Sequence, residues 1–194
     1  MTAPIYVLRG EKIGLAVPSR ELVPLWTEWI NDLAVVSHLA ILSGGPMTLE
    51  AEQRFYDGRA DKPNDILFAV YELATDRTIG STGIHDVDHR HGRATFGIMI
   101  GARDCWNRGY GTEATRLTID YAFEVLGLHN VLLTVYGYNK RAIRAYEKAG
   151  FKVIGRRRDA RRIGAQRYDE IYMDVVASEW TSPVARGALG IAED

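Results

Sequence analysis

The chain has 194 residues, 46% of them hydrophobic, which is enough for one substantial core and too few for two ordinary domains. A formal net charge of -1 at pH 7 excludes a global field that would draw the protein onto nucleic acid or an anionic membrane, so any charge argument is local. A single cysteine, Cys105, excludes an internal disulfide, the opening MTAPIYVLRG has no apolar secretory stretch, and no apolar run nears the ~20 residues that span a bilayer. A cytoplasmic protein with no membrane partner is expected.

Lys12 to Val17 reads as a short strand. Pro18 and Ser19 stop it and offer a cap to a helix over ELVPLWTEWIND, with Pro24 near its first turn. A Gly44-Gly45-Pro46 break then leads to Thr48, the cap of a second helix whose apolar side includes Leu49, Ala51 and Phe55. From Asp65 the texture changes: ILFAVYEL, TIGSTGIHDVD and RATFGIMI, joined by ATDR and HRHG, read as an antiparallel meander. The loop CWNRGYG turns strand into a helix from Thr112 to about Val125, with Ala114, Leu117, Thr118, Tyr121, Ala122 and Val125 on one stripe. Asn130 to Tyr136 is nearly continuous in apolar residues, the texture of a strand buried on both faces. Asn139 caps a further helix that Gly150 ends, packing through Ala142, Ile143, Ala145 and Ala149. Strands near Phe151 to Arg156 and Arg167 to Val176 flank an arginine-rich turn. The domain is expected over residues 1-180 and a mobile tail over 181-194.

The segment Arg108-Gly109-Tyr110-Gly111-Thr112 lies between a strand and a helix start, where free backbone N–H groups and the positive helix end can hold a pyrophosphate. Glycine lets the backbone approach the phosphates. Neither the P-loop pattern nor the three-glycine dinucleotide pattern fits. About thirty residues on comes NKRAIRAYEKAGF, Asn139 to Phe151.

The two segments together resemble the GNAT superfamily, whose motif Q/R-x-x-G-x-G/A is echoed in Trp106 to Gly111 and whose next helix reads N-x-x-A-x-x-x-Y-x-x-x-G-F. More narrowly the chain is similar to the branch of ribosomal-protein N-terminal acetyltransferases and spermidine N-acetyltransferases, which share Trp29-Ile30-Asn31-Asp32, WNRGYGTEA and Tyr168-Asp169-Glu170-Ile171-Tyr172-Met173. The resemblance covers roughly residues 10 to 180. It implies a single-domain α/β GNAT fold: a mixed, mostly antiparallel sheet of about seven strands, the fourth and fifth parallel and splayed, with about four helices. It also implies acetyl-CoA as cosubstrate, no metal, direct transfer to a primary amine of unknown identity (a protein N-terminus, a polyamine or another small amine), and a homodimer.

By the same resemblance Met99 and Ile100 hydrogen-bond the pantetheine arm, and Asn107, Arg108, Gly109, Tyr110, Gly111 and Thr112 hold the pyrophosphate. Asn139 and Ala142 meet the arm's far end, and Tyr146 protonates the departing thiolate. Trp106 stands where the motif has Gln or Arg. Thr95 and Gly83 stand where relatives in the branch carry glutamate, so no general base carries over. His85 and Asp86, nearest the expected acceptor cleft, are the candidates to take the amine proton through water.

Several features have plainer readings. The polar run His85 to His91 fits a strand end and tight turn better than a metal site. Cys105 has no paired histidine and reads as a packed thiol. The arginines from Arg156 to Arg167 lack interleaved aromatics, so an exposed charged turn is expected and nucleic acid is not. Trp26 and Trp29, three apart, fit either a core or a wall of the acceptor pocket. The rival functions are a catalytically idle acyl-CoA-binding regulatory module and an RNA- or ribosome-associated protein.

Overall fold

The computed structural model describes residues 3–39, 45–181 and 184–190, so the expected break at Gly44 begins outside the described residues. Eight strands form one sheet: β1 (Tyr6–Arg9), β2 (Ile13–Ala16), β3 (Ile66–Glu72), β4 (Arg77–Asp88), β5 (Arg93–Ile100), β6 (Asn130–Tyr136), β7 (Lys152–Ile163) and β8 (Gln166–Val176). Their order across the sheet is β1-β2-β3-β4-β5-β6-β8-β7. The helices are α1 (Val23–Asn31), α2 (Leu33–Val36), α3 (Leu49–Asp57), α4 (Tyr110–Glu124), α5 (Lys140–Ala149) and α6 (Val184–Ala188).

The expected meander is β3-β4-β5, with pairs such as Phe68↔Thr82 and Ile84↔Phe96. The sheet has one strand more than expected: β1 buries only Leu8 of its four residues, too short an alternation to register as a strand. The expected parallel neighbours are β5 and β6. They share three rungs, Arg93↔Asn130, Ala94↔Val131 and Thr95↔Leu132, and part from Phe96 onward. The other edge of β6 is paired along its length by β8, from Asn130↔Val176 to Tyr136↔Glu170. A gap therefore opens inside a continuous sheet.

Helix α4 fixes what faces that gap. Its Ala114 and Leu117 join the core around β2, β3 and α1, while its Ile119, Ala122 and Phe123 join the core around β5, β6, β8 and α5. Burying side chains the size of Leu117 and Phe123 stabilises by roughly 1.5–3 kcal/mol each, so the helix is held against both halves of the sheet. Val125, expected on this stripe, is exposed, because the helix ends at Glu124 and Leu128 takes the inward position.

Helix α3 is rotated from its expected setting. Tyr56 packs on Trp26 at 6.3 Å and donates to the Pro18 carbonyl at 3.0 Å, which turns Glu52 inward and leaves Leu49 and Phe55 exposed. Trp26 and Trp29 are both buried; the Trp29 ring lies where a Cβ on Gly101 would sit, 2.0 Å away, so Gly101 is glycine to admit it. The arginine run is strand rather than turn. The β7–β8 pairing continues to Ile163↔Gln166, bulging between Arg157 and Arg161, where Asp159 is left-handed at φ 53°. Of the segment after residue 181, α6 packs through buried Ala185, whose N–H is taken by the buried Asp120 carboxylate; Trp180 donates to the same group at 3.0 Å.

Candidate active site

Where β5 ends, the chain makes two left-handed steps, Asn107 at φ 62° and Gly109 at φ 88°, before α4 begins at Tyr110. The first N–H groups of a helix have no acceptor within it. Thr48 caps α3 through the Ala51 N–H, and Asn139 caps α5 through the Ala142 N–H, but Gly109 supplies no side-chain cap to α4. The positive end of α4 is thus open to an anion.

The loop is pinned from below. The Tyr110 hydroxyl donates to the buried Glu72 carboxylate, which also accepts from Thr75 Oγ1 at 2.8 Å. Arg108 lies over the Tyr110 ring at 4.8 Å and pairs with Glu72 at 3.3 Å. These donors, Tyr110 first and Thr75 next, hold the Glu72 carboxyl below its usual range. Trp106 Nε1 donates to the Ile100 carbonyl at 2.8 Å, and the Arg141 guanidinium lies 3.6 Å over the Trp106 ring.

The end of β5, this loop and α5 bound a cleft of about 260 Å³. Met99, Ile100, Asn107, Gly109, Tyr110, Gly111, Thr112, Asn139, Ala142 and Tyr146 all line it; Arg108 does not. Among the described residues the lining contains no Asp or Glu, while Arg141, Arg144 and Lys148 contribute cations from α5. Their spacing of three and four residues puts them on one helix face, a signal legible in the sequence that motif matching passed over. Val35, His38 and Leu39 close the cleft from the side of α2, and nothing in the sequence pattern foretold them.

Tyr146 is half-buried, edge-on to Phe96 at 6.1 Å and tilted against Phe151 at the same distance. Burial pushes its hydroxyl pKa up to about 12, with Arg141 opposing, so it is a phenol and a hydrogen-bond donor at every physiological pH. Cys105 is buried in the cleft wall and burial pushes its thiol pKa up, as befits a packed thiol rather than a nucleophile.

His85 and Asp86 lie outside the lining, at the end of β4. Asp86 is exposed and left-handed at φ 52°, and its N–H is taken by Asp65 Oδ1 at 3.0 Å. His85 Nδ1 stands 3.9 Å from Asp65 Oδ2. Its Nε2 is 3.2 Å from where a Cβ on Gly97 would be, two residues past the last β5–β6 rung. Burial lowers the His85 pKa more than Asp65 raises it, leaving a neutral imidazole at pH 7. His38 is also lowered, by burial first and Arg141 second; its Nδ1 is buried without a hydrogen-bond partner among the described residues. No cluster of three or more metal-ligating side chains occurs among the described residues, and no helix there is long and apolar enough to cross a membrane.

A family model described as an acetyltransferase (GNAT) domain matches residues 13–152. A Bacillus licheniformis protein named uncharacterized N-acetyltransferase p20 is 31% identical over 106 residues, 55% of this chain and 58% of that protein. A spermidine N(1)-acetyltransferase of Escherichia coli is 38% identical over 76 residues, 39% of this chain and 40% of that one. The matched region thus spans about half the length of these curated relatives. Among solved structures, a spermidine N-acetyltransferase from Vibrio cholerae, in complex with CoA and spermine, superposes with a TM-score of 0.80. It is 20% identical, over 88% of this chain and 98% of that one, a likeness of fold.

Proposed function

The chain belongs to the GNAT acetyltransferase family, and from that premise we propose that it moves an acetyl group from acetyl-CoA to a primary amine, both bound at once, with a polyamine as the acceptor. The observation that carries this reading is the cleft between the end of β5, the start of α4 and α5. Uncapped N–H groups of α4 and three α5 cations, with no carboxylate in the lining among the described residues, suit a pyrophosphate and a pantetheine arm. The similarity to spermidine N(1)-acetyltransferase supports the polyamine.

Acetyl-CoA supplies the acyl group already activated as a thioester. The residues of the chain do the rest. Asn107 and Gly109 to Thr112 hold the pyrophosphate, with Arg144 and Lys148 contributing charge. Arg108, drawn onto Glu72, braces the loop instead of reaching for phosphate. As the C–N bond forms and the C–S bond breaks, the Tyr146 hydroxyl donates to sulfur. A thiol near pKa 8.5 is far more acidic than a phenol at about 12, so full proton transfer is uphill and the hydrogen bond is the contribution. The amine proton leaves through water to neutral His85, which Asp65 steadies.

Tyr146→Phe tests this reading, because it removes the donor and keeps the ring that packs on Phe96 and Phe151. The variant is expected to lose about a hundredfold or more in kcat, with KM for acetyl-CoA and melting temperature unchanged. A fully active variant removes Tyr146 from the mechanism.

A further inference from the structure

Residues opposite one another in a sheet, or two apart along a strand, share a face. Thr95 lies opposite Leu132, so Tyr136 projects on the Thr95 face of the sheet, away from the core that α4 and α5 cover. Glu170 lies opposite Tyr136, and Tyr168 is two residues from Glu170, on the same face. Three tyrosines meet here. Tyr136 and Tyr138 stack with centroids 5.6 Å apart at 15°, and Tyr168 meets Tyr138 edge-on at 4.8 Å and 68°. Tyr138 joins them to the cleft: its ring is 5.8 Å from that of His38, a lining residue, and its hydroxyl donates to the Ser37 carbonyl.

A cation already sits in this cluster. The Arg161 guanidinium lies 4.9 Å from the Tyr136 ring centroid, and Arg161 is paired opposite Tyr168 on the β7–β8 ribbon. The negative faces of aromatic rings attract cations, and the attraction grows as water is excluded. Among the described residues the cleft lining offers an ammonium group no carboxylate, its charged members being Arg141, Arg144 and Lys148. An acceptor with more than one ammonium group therefore has an anchoring point outside the cleft, at the three rings and the Glu170 carboxylate, which in the free protein accepts from the Tyr172 hydroxyl at 3.0 Å.

We propose that Tyr136, Tyr138, Tyr168 and Glu170 form a subsite for a second ammonium group of the acceptor, occupied in the free protein by Arg161 as a resident competitor. The acceptor is then a di- or polyamine whose reacting nitrogen lies in the cleft while a distal one displaces the guanidinium. This rests on the transfer reading above and gives its polyamine acceptor a second anchoring point. Tyr136 and Tyr168 act on acceptor affinity and not on the acyl group.

The test is calorimetric titration of the full chain with spermidine and with butylamine, a monoamine, alongside acetyl-CoA. Tyr136→Leu and Tyr168→Leu each weaken spermidine about tenfold and leave butylamine and acetyl-CoA unchanged. Tyr136→Phe, which keeps the ring, retains spermidine affinity. Arg161→Met, which removes the competitor and keeps an apolar stem, tightens spermidine severalfold. Unchanged spermidine affinity in the leucine variants, an equal loss for butylamine, or weaker binding in Arg161→Met overturns the proposal. Normal spermidine binding without acetyl transfer breaks the transfer reading and leaves the subsite standing. Transfer to butylamine with no preference for spermidine does the reverse.

Discussion

The stretch 107–112 proposed for the phosphates is continuous in sequence, and all of it but Arg108 lines the cleft, whereas the proposed acceptor end brings His38, just after α2, against Tyr138, just past β6, and Tyr168 of β8, which are remote in sequence. At the phosphate end the geometry is local: a left-handed glycine and an uncapped helix start suffice once α4 is packed. At the acceptor end every contact is tertiary, such as Tyr138 reaching Ser37, 101 residues away. The phosphate end should therefore tolerate little local change, while the acceptor end can be retuned one side chain at a time.

The largest effect that separates the two ends is expected from removing charge at the first. Arg144→Ala combined with Lys148→Ala deletes two of the three lining cations and, at roughly 1.5–3 kcal/mol for a charge-assisted bond, weakens acetyl-CoA about tenfold or more. Calorimetry at two salt concentrations checks it, with acceptor KM held constant. An equal rise in acceptor KM would show that the ends are not separable.

A middle-sized effect belongs to the acceptor side. His85→Gln is expected to lower kcat about tenfold and to remove the acidic limb of the kcat/KM profile. The sign follows from the lowered pKa: the neutral, proton-accepting form persists below pH 6.5, so wild-type activity falls only at lower pH. His38 faces Arg141 and Tyr138 in the cleft and is lowered as well, so a limb surviving in His85→Gln transfers the role to His38.

The smallest effect lies away from both ends. Asp120→Asn loosens the seat of α6 and Trp180 and costs about 1 kcal/mol of stability, read as a lower melting temperature, with kcat and both KM values unchanged. A changed kcat would show that α6 is coupled to the cleft.

The same contrast explains what the sequence disclosed. The meander, the glycine loop and the helix opened by Asn139 and closed by Gly150 were legible because capping and alternation are written in neighbouring residues. The arginine run was misread as a turn, since β7 is held in strand by its register with β8, and charge content does not encode register. Leu49 and Phe55 were expected inward by composition, but the setting of α3 is decided by Tyr56 meeting Trp26 and Pro18. His85 stood out as nearest the expected acceptor cleft; the fold places it over Gly97, beside the parting strands and outside the cleft lining. His38 in the cleft lining and the tyrosine cluster beside it were invisible because chain crossings, not spacing, bring them together.

The central claim, that this cleft binds acetyl-CoA for transfer to an amine, is tested most directly at Gly111. A Cβ there meets only Ile100 Cγ1 at 3.8 Å, an ordinary contact, so Gly111→Val leaves the free fold intact while filling space in the cleft. The measurement is thiol release from acetyl-CoA with spermidine, in wild type and in this variant. The account predicts amine-dependent release by the wild type, lost in Gly111→Val at an unchanged melting temperature. Release that is independent of the amine, or that survives in Gly111→Val, would contradict it.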